Sequence, residues 1–156
     1  MDIRVGFGFD SHEFEKGKKL ILGGTEIESD FGLKGHSDGD ALLHAITDAI
    51  LGALGERDIG ELFKDTDPRW KDAPSRIFLE KALEIMKGKG FSIVNLDCVL
   101  VADKPKIAPY KERIKENLSN ILGVPKDRIS LKGKRREGFC KEEGLVCMCT
   151  VLLVKM

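Results

Sequence analysis

Apolar and polar residues alternate along residues 3–10, a pattern that predicts a β-strand. Four apolar side chains fall on one side of this strand. Gly6 and Gly8 fall on the other side, where they leave room for something to approach the backbone closely. Further strands are predicted at residues 91–102 and 129–132, and a short strand pair is predicted within residues 18–27. The polar, glycine-spaced segment 29–35 is predicted to be a surface loop.

The last predicted strand, residues 145–154, is almost entirely apolar and shows no alternation. One explanation is a strand that is buried on both faces of its sheet. The other explanation, which we favour in so small a protein, is a strand with one face on the core and one face against another subunit.

Apolar residues recur at helical spacing in three longer segments, residues 39–54, 75–87 and 109–122. A turn with one more helical turn is predicted at residues 55–63. Because the helices interrupt the strands, the pattern predicts a mixed α+β or α/β protein. The 156 residues are expected to form one domain, which is long enough to enclose a hydrophobic core.

Composition and charge exclude several classes of partner. Lys and Arg total 26, as do Asp and Glu, so the formal net charge is zero and no overall field would attract nucleic acid or an anionic membrane. No apolar run reaches the roughly 20 residues that a membrane-spanning helix needs. The first residues lack the basic-then-apolar pattern of a signal peptide, so a cytoplasmic location is expected.

The four cysteines include no C-x-x-C pair. Cys147 and Cys149 lie two residues apart on a predicted strand, so their side chains would point to the same side and could in principle bind a metal. Reduced, buried thiols that behave as small apolar side chains are the favoured interpretation for a cytoplasmic protein.

His44 is the centre of the candidate chemistry. It lies in the first predicted helix, four residues after Asp40 and four before Asp48, so the three side chains share one helical face. Asp10 and His12 follow at the end of the first predicted strand, where an extended chain would place both side chains on the same side. With His44 they would provide three ligands and leave a fourth position open, as a catalytic zinc site requires.

Spacing alone leaves a second interpretation open, in which His12 lies in an ordinary surface loop and His44 is a half-buried histidine. Asp40 and Asp48 favour the metal site, because metal-bound imidazoles usually donate their other N–H group to a nearby acceptor.

Two further polar clusters also allow more than one role. Asp58, Asp65 and Asp67 lie in loops, where carboxylates usually cap helices and form turns, although they would also accept hydrogen bonds from sugar hydroxyls. The basic segment 132–136 is typical of a solvated turn, and zero net charge and the absence of interleaved aromatic residues disfavour nucleic acid. A diphosphate site with a divalent cation on Glu137 fits the same segment.

Several motifs resemble one enzyme family. They are Phe9-Asp10-Ser11-His12, the sequence His-Ser-Asp-Gly-Asp-x-x-x-His-Ala-x-x-Asp-Ala over residues 36–49, Asp58-Ile59-Gly60, the segment 63–68, Ser75-Arg76, Pro105-Lys106 and the apolar last strand. In this order, and over essentially the whole chain, they resemble the 2-C-methyl-D-erythritol 2,4-cyclodiphosphate synthase family.

The resemblance implies an α+β fold in a single domain over residues 1–156. A mixed β-sheet would be covered by helices on one face, and the sheets would pack together around a threefold axis in a homotrimer with active sites between subunits. The implied activity is that of a phosphorus–oxygen lyase of the non-mevalonate isoprenoid pathway. In this reaction the 2-phosphate of 4-diphosphocytidyl-2-C-methyl-D-erythritol 2-phosphate attacks the metal-bound β-phosphate, which gives the cyclic diphosphate and CMP.

The resemblance also implies roles for individual residues. Asp10, His12 and His44 would bind Zn²⁺ or another transition divalent ion, and Glu137 would bind Mg²⁺ or Mn²⁺. Asp58 would bind the erythritol hydroxyls, the loop 63–67 would close the same pocket, and residues 102–108 of the adjacent subunit would bind cytidine. His36 and Ser37 would lie on a mobile loop over the substrate, and the catalytic residues would be His36 and Arg135. The residues that would contact the substrate are Asp10, Ser11, His12, His36, Ser37, Asp58, Ile59, Gly60, Phe63, Lys64, Asp65, Thr66, Asp67, Ala102, Asp103, Lys104, Pro105, Lys106, Ile107, Ala108, Gly133, Lys134, Arg135, Arg136, Glu137, Phe139 and Lys141.

One segment departs from the family pattern. Lys134, Arg135 and Arg136 stand where the family typically has a threonine-rich segment, and Arg135 takes the place of a threonine to which transition-state stabilisation is partly assigned. Three explanations are open. Cationic side chains replace the contacts of the threonine hydroxyl, backbone N–H groups make the important contacts throughout the family, or this variant turns over more slowly. Residues 140–144 also differ from the family's Gly-Arg-Gly-Glu-Gly turn, although Phe139 fits the lining of the trimer's central channel.

Two other functions compete with the synthase. One is a zinc phosphohydrolase in which metal-bound water is the nucleophile. The other is a non-catalytic trimeric protein that binds a nucleotide or a diphosphate.

Overall fold

A five-stranded mixed β-sheet forms the centre of the computed structural model, which describes residues 1–35, 37–139 and 143–156. The strands and helices are, in chain order, β1 Asp2–Lys16, β2 Leu20–Leu22, β3 Thr25–Ile27, β4 Phe31–Leu33, α1 Ala41–Ala53, α2 Ile59–Leu62, α3 Arg76–Gly88, β5 Ser92–Val101, α4 Lys111–Leu122, β6 Ile129–Lys134 and β7 Gly144–Lys155. Single turns of 3-10 helix lie at Pro68–Trp70, Ala108–Tyr110 and Lys126–Arg128.

The strand order in the large sheet is β4-β1-β7-β5-β6. β7 lies between β1 and β5 and pairs antiparallel with both, whereas β6 pairs parallel with β5. β2 and β3 form a separate antiparallel pair, which confirms the short strand pair predicted within residues 18–27. The sheet is therefore mixed, as expected for the predicted fold.

Helix α1 lies directly against β1 because two residues of the strand have no side chain. A Cβ atom at Gly6 would lie 1.8 Å from the carbonyl oxygen of Ala49, and one at Gly8 would lie 1.8 Å from that of Ala45. The close approach predicted for this side of the strand is thus made by the backbone of α1. The hydrophobic core lies between the sheet and the helices, and its fully buried members include Leu42, Ile46, Leu79, Leu96, Leu118 and Val151.

The opposite face of the sheet is open. Val5 and Phe7 are 66% and 61% exposed, and β7 places half-buried apolar residues beside this row, with Leu152 opposite Val5 and Met148 opposite Phe9. Alternate residues of β7 point into the core and are buried. The last strand is therefore buried on one face, which excludes the explanation that both of its faces lie in the core of this chain.

The structure differs from the predicted elements in two places. β1 continues to Lys16, so Asp10 and His12 lie within the strand and not at its end. The segment predicted as a surface loop contains β4, whose residues 31–33 pair with residues 14–16 of β1. None of the helices in the described ranges is long and apolar enough to cross a membrane.

Candidate metal centre

Three side chains meet where α1 crosses β1. The Oδ2 atom of Asp10 lies 2.7 Å from Nε2 of His12 and 3.2 Å from Nδ1 of His44. One ligand atom from each of the three residues lies within 4.8 Å of the other two, and all three residues are half-buried. The structure thus brings together the three residues that the sequence predicts as metal ligands.

Local geometry explains this meeting. Asp10 and His12 are alternate residues of a continuous strand, so both side chains leave the same face of the sheet. Gly8 lets α1 pack against that face within van der Waals distance of the strand, and His44 lies in the first turns of this helix. Gly8, together with Gly6, therefore sets the distance between the strand that carries Asp10 and His12 and the helix that carries His44.

Hydrogen bonds to the second ring nitrogens orient both imidazoles. His12 Nδ1 lies 2.6 Å from the carbonyl oxygen of Lys34, which can only accept, so Nδ1 carries the proton and Nε2 faces Asp10. His44 Nε2 lies 2.7 Å from Oγ of Ser75 and 3.3 Å from Oγ of Ser37. Each ring therefore turns its remaining nitrogen toward the carboxylate, an arrangement typical of metal-binding histidines.

The charges in the centre favour a bound cation. Burial raises the pKa of Asp10, but hydrogen bonds and charge from the protonated forms of His12 and His44 outweigh burial in the metal-free centre and hold the pKa below its ordinary value. Burial likewise lowers the pKa of His12, but the hydrogen bond and the charge of Asp10 outweigh it and raise the pKa. A carboxylate with two imidazoles fits a borderline divalent ion such as Zn²⁺ and leaves room for a further ligand.

Asp40 and Asp48 do not serve as the acceptors predicted for His44. Asp40 is the N-cap of α1, and its carboxylate accepts N–H groups of Leu43, Gly23 and Gly24 at 2.8–3.0 Å. Asp48 accepts the N–H group of Ile59 at 2.7 Å. Burial raises the pKa of Asp48, and it raises that of the fully buried Asp40 to about 6. Both carboxylates therefore tie α1 to neighbouring turns. The prediction was wrong because helical spacing fixes the face on which a side chain lies but not its hydrogen-bond partner.

The acidic loop residues have local roles in the structure. Asp58 caps α2 through the N–H group of Glu61, and Asp67 caps the turn Pro68–Trp70 and forms an ion pair with Arg69. The predicted site residues Ile59 and Gly60 belong to α2, and Lys64, Asp65 and Thr66 are exposed. Phe63 packs on Phe78, whose ring lies 5.8 Å from that of His44, so this loop borders the metal centre.

A separate cavity of about 190 Å³ lies at the ends of β5 and β6. Its lining includes most of the residues predicted to bind cytidine, together with the end of β6 and the residue that follows it. These residues are Ala102, Asp103, Pro105, Lys106, Ile107, Ala108, Gly133, Lys134 and Arg135. The predicted residue Lys104 is exposed and borders a neighbouring pocket, and its peptide bond to Pro105 is cis.

The basic turn after β6 borders several pockets. Arg135 borders the cavity just described and also a pocket of about 570 Å³ that reaches Ser11, His12, Arg136 and Phe139. Arg135 and Glu137 line a third pocket with Asp103, whose Oδ1 atom accepts the N–H group of Arg136 at 2.9 Å. Ser11 and Phe139 are exposed, and Ser37 is buried beside His44. His36 and Lys141, two predicted site residues, lie outside the described residues.

The cysteines that the structure describes do not form a metal site. Cys98, Cys147 and Cys149 are buried and reduced, and burial raises the pKa of both Cys147 and Cys149. Because thiolate is the metal-binding form, these thiols are poor ligands. The interpretation of buried, apolar thiols is confirmed for these three residues.

Sequence reasoning did not assign a role to Ser75 or Asp38. Both lie in motifs that carry the family resemblance, but Ser75 is 31 residues from His44 in the chain. A serine at the start of a predicted helix indicates an N-cap, so no sequence signal distinguishes it from an ordinary capping residue.

A mixed sheet with two histidines and a carboxylate between a strand and a helix defines a candidate metalloenzyme. The chain belongs to the YgbB family, whose model matches residues 3–154. A relative from Aquifex aeolicus, named 2-C-methyl-D-erythritol 2,4-cyclodiphosphate synthase, is 82% identical over 156 residues, which cover 100% of both chains. A relative of the same name from Hydrogenobaculum is 58% identical over 153 residues, 98% of each chain.

Solved structures share the same fold. A 2C-methyl-D-erythritol-2,4-cyclodiphosphate synthase in a form with bound CDP superposes with a TM-score of 0.91 at 42% identity, covering 97% of this chain and 100% of that chain. The resemblance inferred from the motifs is therefore confirmed, as is the α+β fold with a mixed sheet.

Proposed function

We propose that the protein is a 2-C-methyl-D-erythritol 2,4-cyclodiphosphate synthase, a phosphorus–oxygen lyase of the non-mevalonate isoprenoid pathway. It converts 4-diphosphocytidyl-2-C-methyl-D-erythritol 2-phosphate to the cyclic diphosphate and CMP. The convergence of Asp10, His12 and His44, in a chain 82% identical to a relative of that name, carries the proposal. Residues 1–156 form one synthase domain, and the cytoplasmic location stays a prediction.

Two divalent ions complete the active site in this proposal. Asp10, His12 and His44 hold Zn²⁺ or a similar ion, and the exposed Glu137 holds Mg²⁺ or Mn²⁺. Bound ions of this kind withdraw charge from a diphosphate and so make its phosphorus a better electrophile. The donor set supports the assignment of the first ion, because carboxylate and imidazole ligands suit zinc-class metals.

The remaining site residues position the substrate. The cavity at the ends of β5 and β6 has a size and a lining that suit a pyrimidine ring, and CDP binds to a solved relative. Asp58 binds the erythritol hydroxyls, and the loop 63–67 closes the pocket beside His44. His36 and Ser37 are proposed to contact the phosphates. Arg135 supplies positive charge to the developing transition state in this proposal, since it follows β6 directly and borders the cavity proposed for cytidine.

A homotrimer supplies the complete site. The open face of the sheet carries exposed Val5 and Phe7 beside half-buried apolar residues of β7, a patch that a lone chain would leave in water. Packing three such faces around an axis buries the patch and brings residues 102–108 of one subunit to the metal centre of the next. The proposal includes no nucleic-acid or membrane partner.

The test is the reaction of the authentic substrate in ¹⁸O-labelled water. The synthase proposal predicts CMP and a cyclic diphosphate without ¹⁸O, because the 2-phosphate is the nucleophile. A linear product that contains ¹⁸O would identify a phosphohydrolase. Substrate that binds without turnover would identify a non-catalytic binding protein. His44→Ala should abolish CMP release, whereas Thr47→Val, which removes a buried hydroxyl one turn further along α1, should keep most of it.

A further inference from the structure

We infer that Ser75 and Asp38 are positioning residues that fix the tautomer of His44 and thereby set the metal affinity of the centre. The inference deepens the proposed function and rests on its metal site. Neither residue touches the substrate in this account. Both act through the imidazole of His44.

The direction of each hydrogen bond follows from the number of protons available. The Ser75 hydroxyl donates to Oδ1 of Asp38, which as a carboxylate can only accept. A hydroxyl has one proton, so toward His44 Oγ of Ser75 must act as acceptor. His44 Nε2 lies 2.7 Å from that oxygen and therefore carries the N–H group. The lone pair of His44 is then on Nδ1, which faces Asp10 at 3.2 Å.

The Ser75 side chain contacts His44 and does not cap its own helix. It occupies the N-cap position of α3, where a serine usually accepts an N–H group of the first helical turn, but its side chain makes no such bond. The residue is fully buried, and its hydroxyl bonds to Asp38 and His44. The start of α3 is therefore arranged around His44 at the expense of a cap.

Asp38 is itself held on several sides. Its Oδ2 atom accepts the N–H group of Ser75 at 3.0 Å, and its Oδ1 atom also accepts that of Asp40 at 3.0 Å. Its own N–H group donates to the carbonyl oxygen of Ala73 at 3.1 Å. These bonds join the segment before α1 to the segment before α3, so the acceptor for His44 has a fixed position.

Loss of the Ser75 hydroxyl should weaken metal binding without removing any ligand. Ser37 Oγ lies 3.3 Å from His44 Nε2 and is a poorer replacement, so some affinity should remain. Outer hydrogen bonds to metal-bound histidines typically change metal affinity about 10- to 100-fold. We expect a Zn²⁺ dissociation constant for Ser75→Ala that is higher by about that factor.

The experiment measures Zn²⁺ affinity by competition with a chromophoric chelator in the full-length protein. Ser75→Thr, which keeps the hydroxyl, should bind Zn²⁺ nearly as tightly as the original protein. Thr47→Val is the matched control, because Thr47 is equally buried on α1 but donates only to the carbonyl oxygen of Leu43. The Zn²⁺ affinity of Thr47→Val should stay within about twofold of that of the original protein, a much smaller change than the one expected for Ser75→Ala.

A second readout separates positioning from simple packing. Long-range ¹H–¹⁵N spectra of the zinc-loaded protein should show the His44 proton on Nε2, and Ser75→Ala should alter the Nε2 resonance. Unchanged Zn²⁺ affinity in Ser75→Ala, or a proton on Nδ1 of His44, would overturn the inference. CMP release is measured in parallel: Zn²⁺ binding that responds to Ser75→Ala without any CMP release would support the positioning role and contradict the synthase.

Discussion

At the scale of single residues, the metal centre depends on the hydrogen-bond partners of two carboxylates, Asp10 and Asp40. Asp10 lies between two imidazoles, whereas Asp40, four residues before His44, turns away to the N–H groups of Gly23 and Gly24. Asp40 is fully buried, and its pKa is raised to about 6 because burial penalises the charge more than three N–H groups favour it. The two carboxylates therefore differ in role and in titration.

Asp40 gives a pH dependence with a definite sign. Its pKa is higher in the folded than in the unfolded protein, so its contribution to stability is largest below about pH 4 and falls as the pH rises through about 6. The unfolding free energy of the original protein minus that of Asp40→Asn should therefore fall over this range, by roughly 3 kcal/mol at most. Urea unfolding at a series of pH values measures it. If the original protein instead became more stable relative to Asp40→Asn as the pH rises, the N–H groups would outweigh burial.

Helical spacing predicted the shared face of Asp40, His44 and Asp48 but not their partners. Partners depend on segments distant in sequence, such as the turn at Gly23 and the start of α3 at Ser75. The three ligands themselves could be predicted, because Asp10 and His12 alternate on one strand and the family motif adds His44. The capping roles of Asp58 and Asp67 could also be predicted from their loop positions.

At the scale of elements, the contact between α1 and β1 positions the helix ligand. Gly8 touches the backbone of α1 at Ala45, the residue after His44. Glycine in a strand was the sequence signal for a close approach, although the approaching element could not be identified from it. β4 was missed because three residues with one glycine carry too little pattern, and only the distant residues 14–16 of β1 make them a strand.

Gly8→Ala tests this contact. The new Cβ atom would lie 1.8 Å from the carbonyl oxygen of Ala45, and backbone cannot move aside as a flexible side chain can. We expect a loss of about 3 kcal/mol or more in unfolding free energy, together with weaker Zn²⁺ binding as α1 shifts. Gly52→Ala is the control, because the nearest atom to its Cβ lies 3.9 Å away. Equal stability of the two variants would show that α1 does not depend on Gly8.

At the scale of the whole molecule, the open face of the sheet carries exposed apolar side chains that the proposed trimer would cover. The sequence predicted this from the unalternating last strand, and the structure confirms that β7 is buried on one face only. The number of subunits comes from the family resemblance, because an apolar face does not specify the symmetry that covers it.

Sedimentation equilibrium should give three times the chain mass of 17.3 kDa. Phe7→Glu should produce a monomer, because its side chain is 61% exposed in the single chain and a carboxylate there would be buried uncompensated between subunits. Lys81→Glu, on an exposed part of α3, should remain trimeric. A monomeric original protein with full turnover would contradict a site shared between subunits.

The central claim is that the centre formed by Asp10, His12 and His44 makes this protein a metal-dependent synthase. The most direct measurement is CMP release from 4-diphosphocytidyl-2-C-methyl-D-erythritol 2-phosphate before chelation, after chelation, and after Zn²⁺ is added back with Mg²⁺ present. We predict turnover that chelation abolishes and Zn²⁺ restores in the original protein, with no restoration in His44→Ala. CMP release that persists in the chelated protein, or equal turnover by His44→Ala, would contradict the claim.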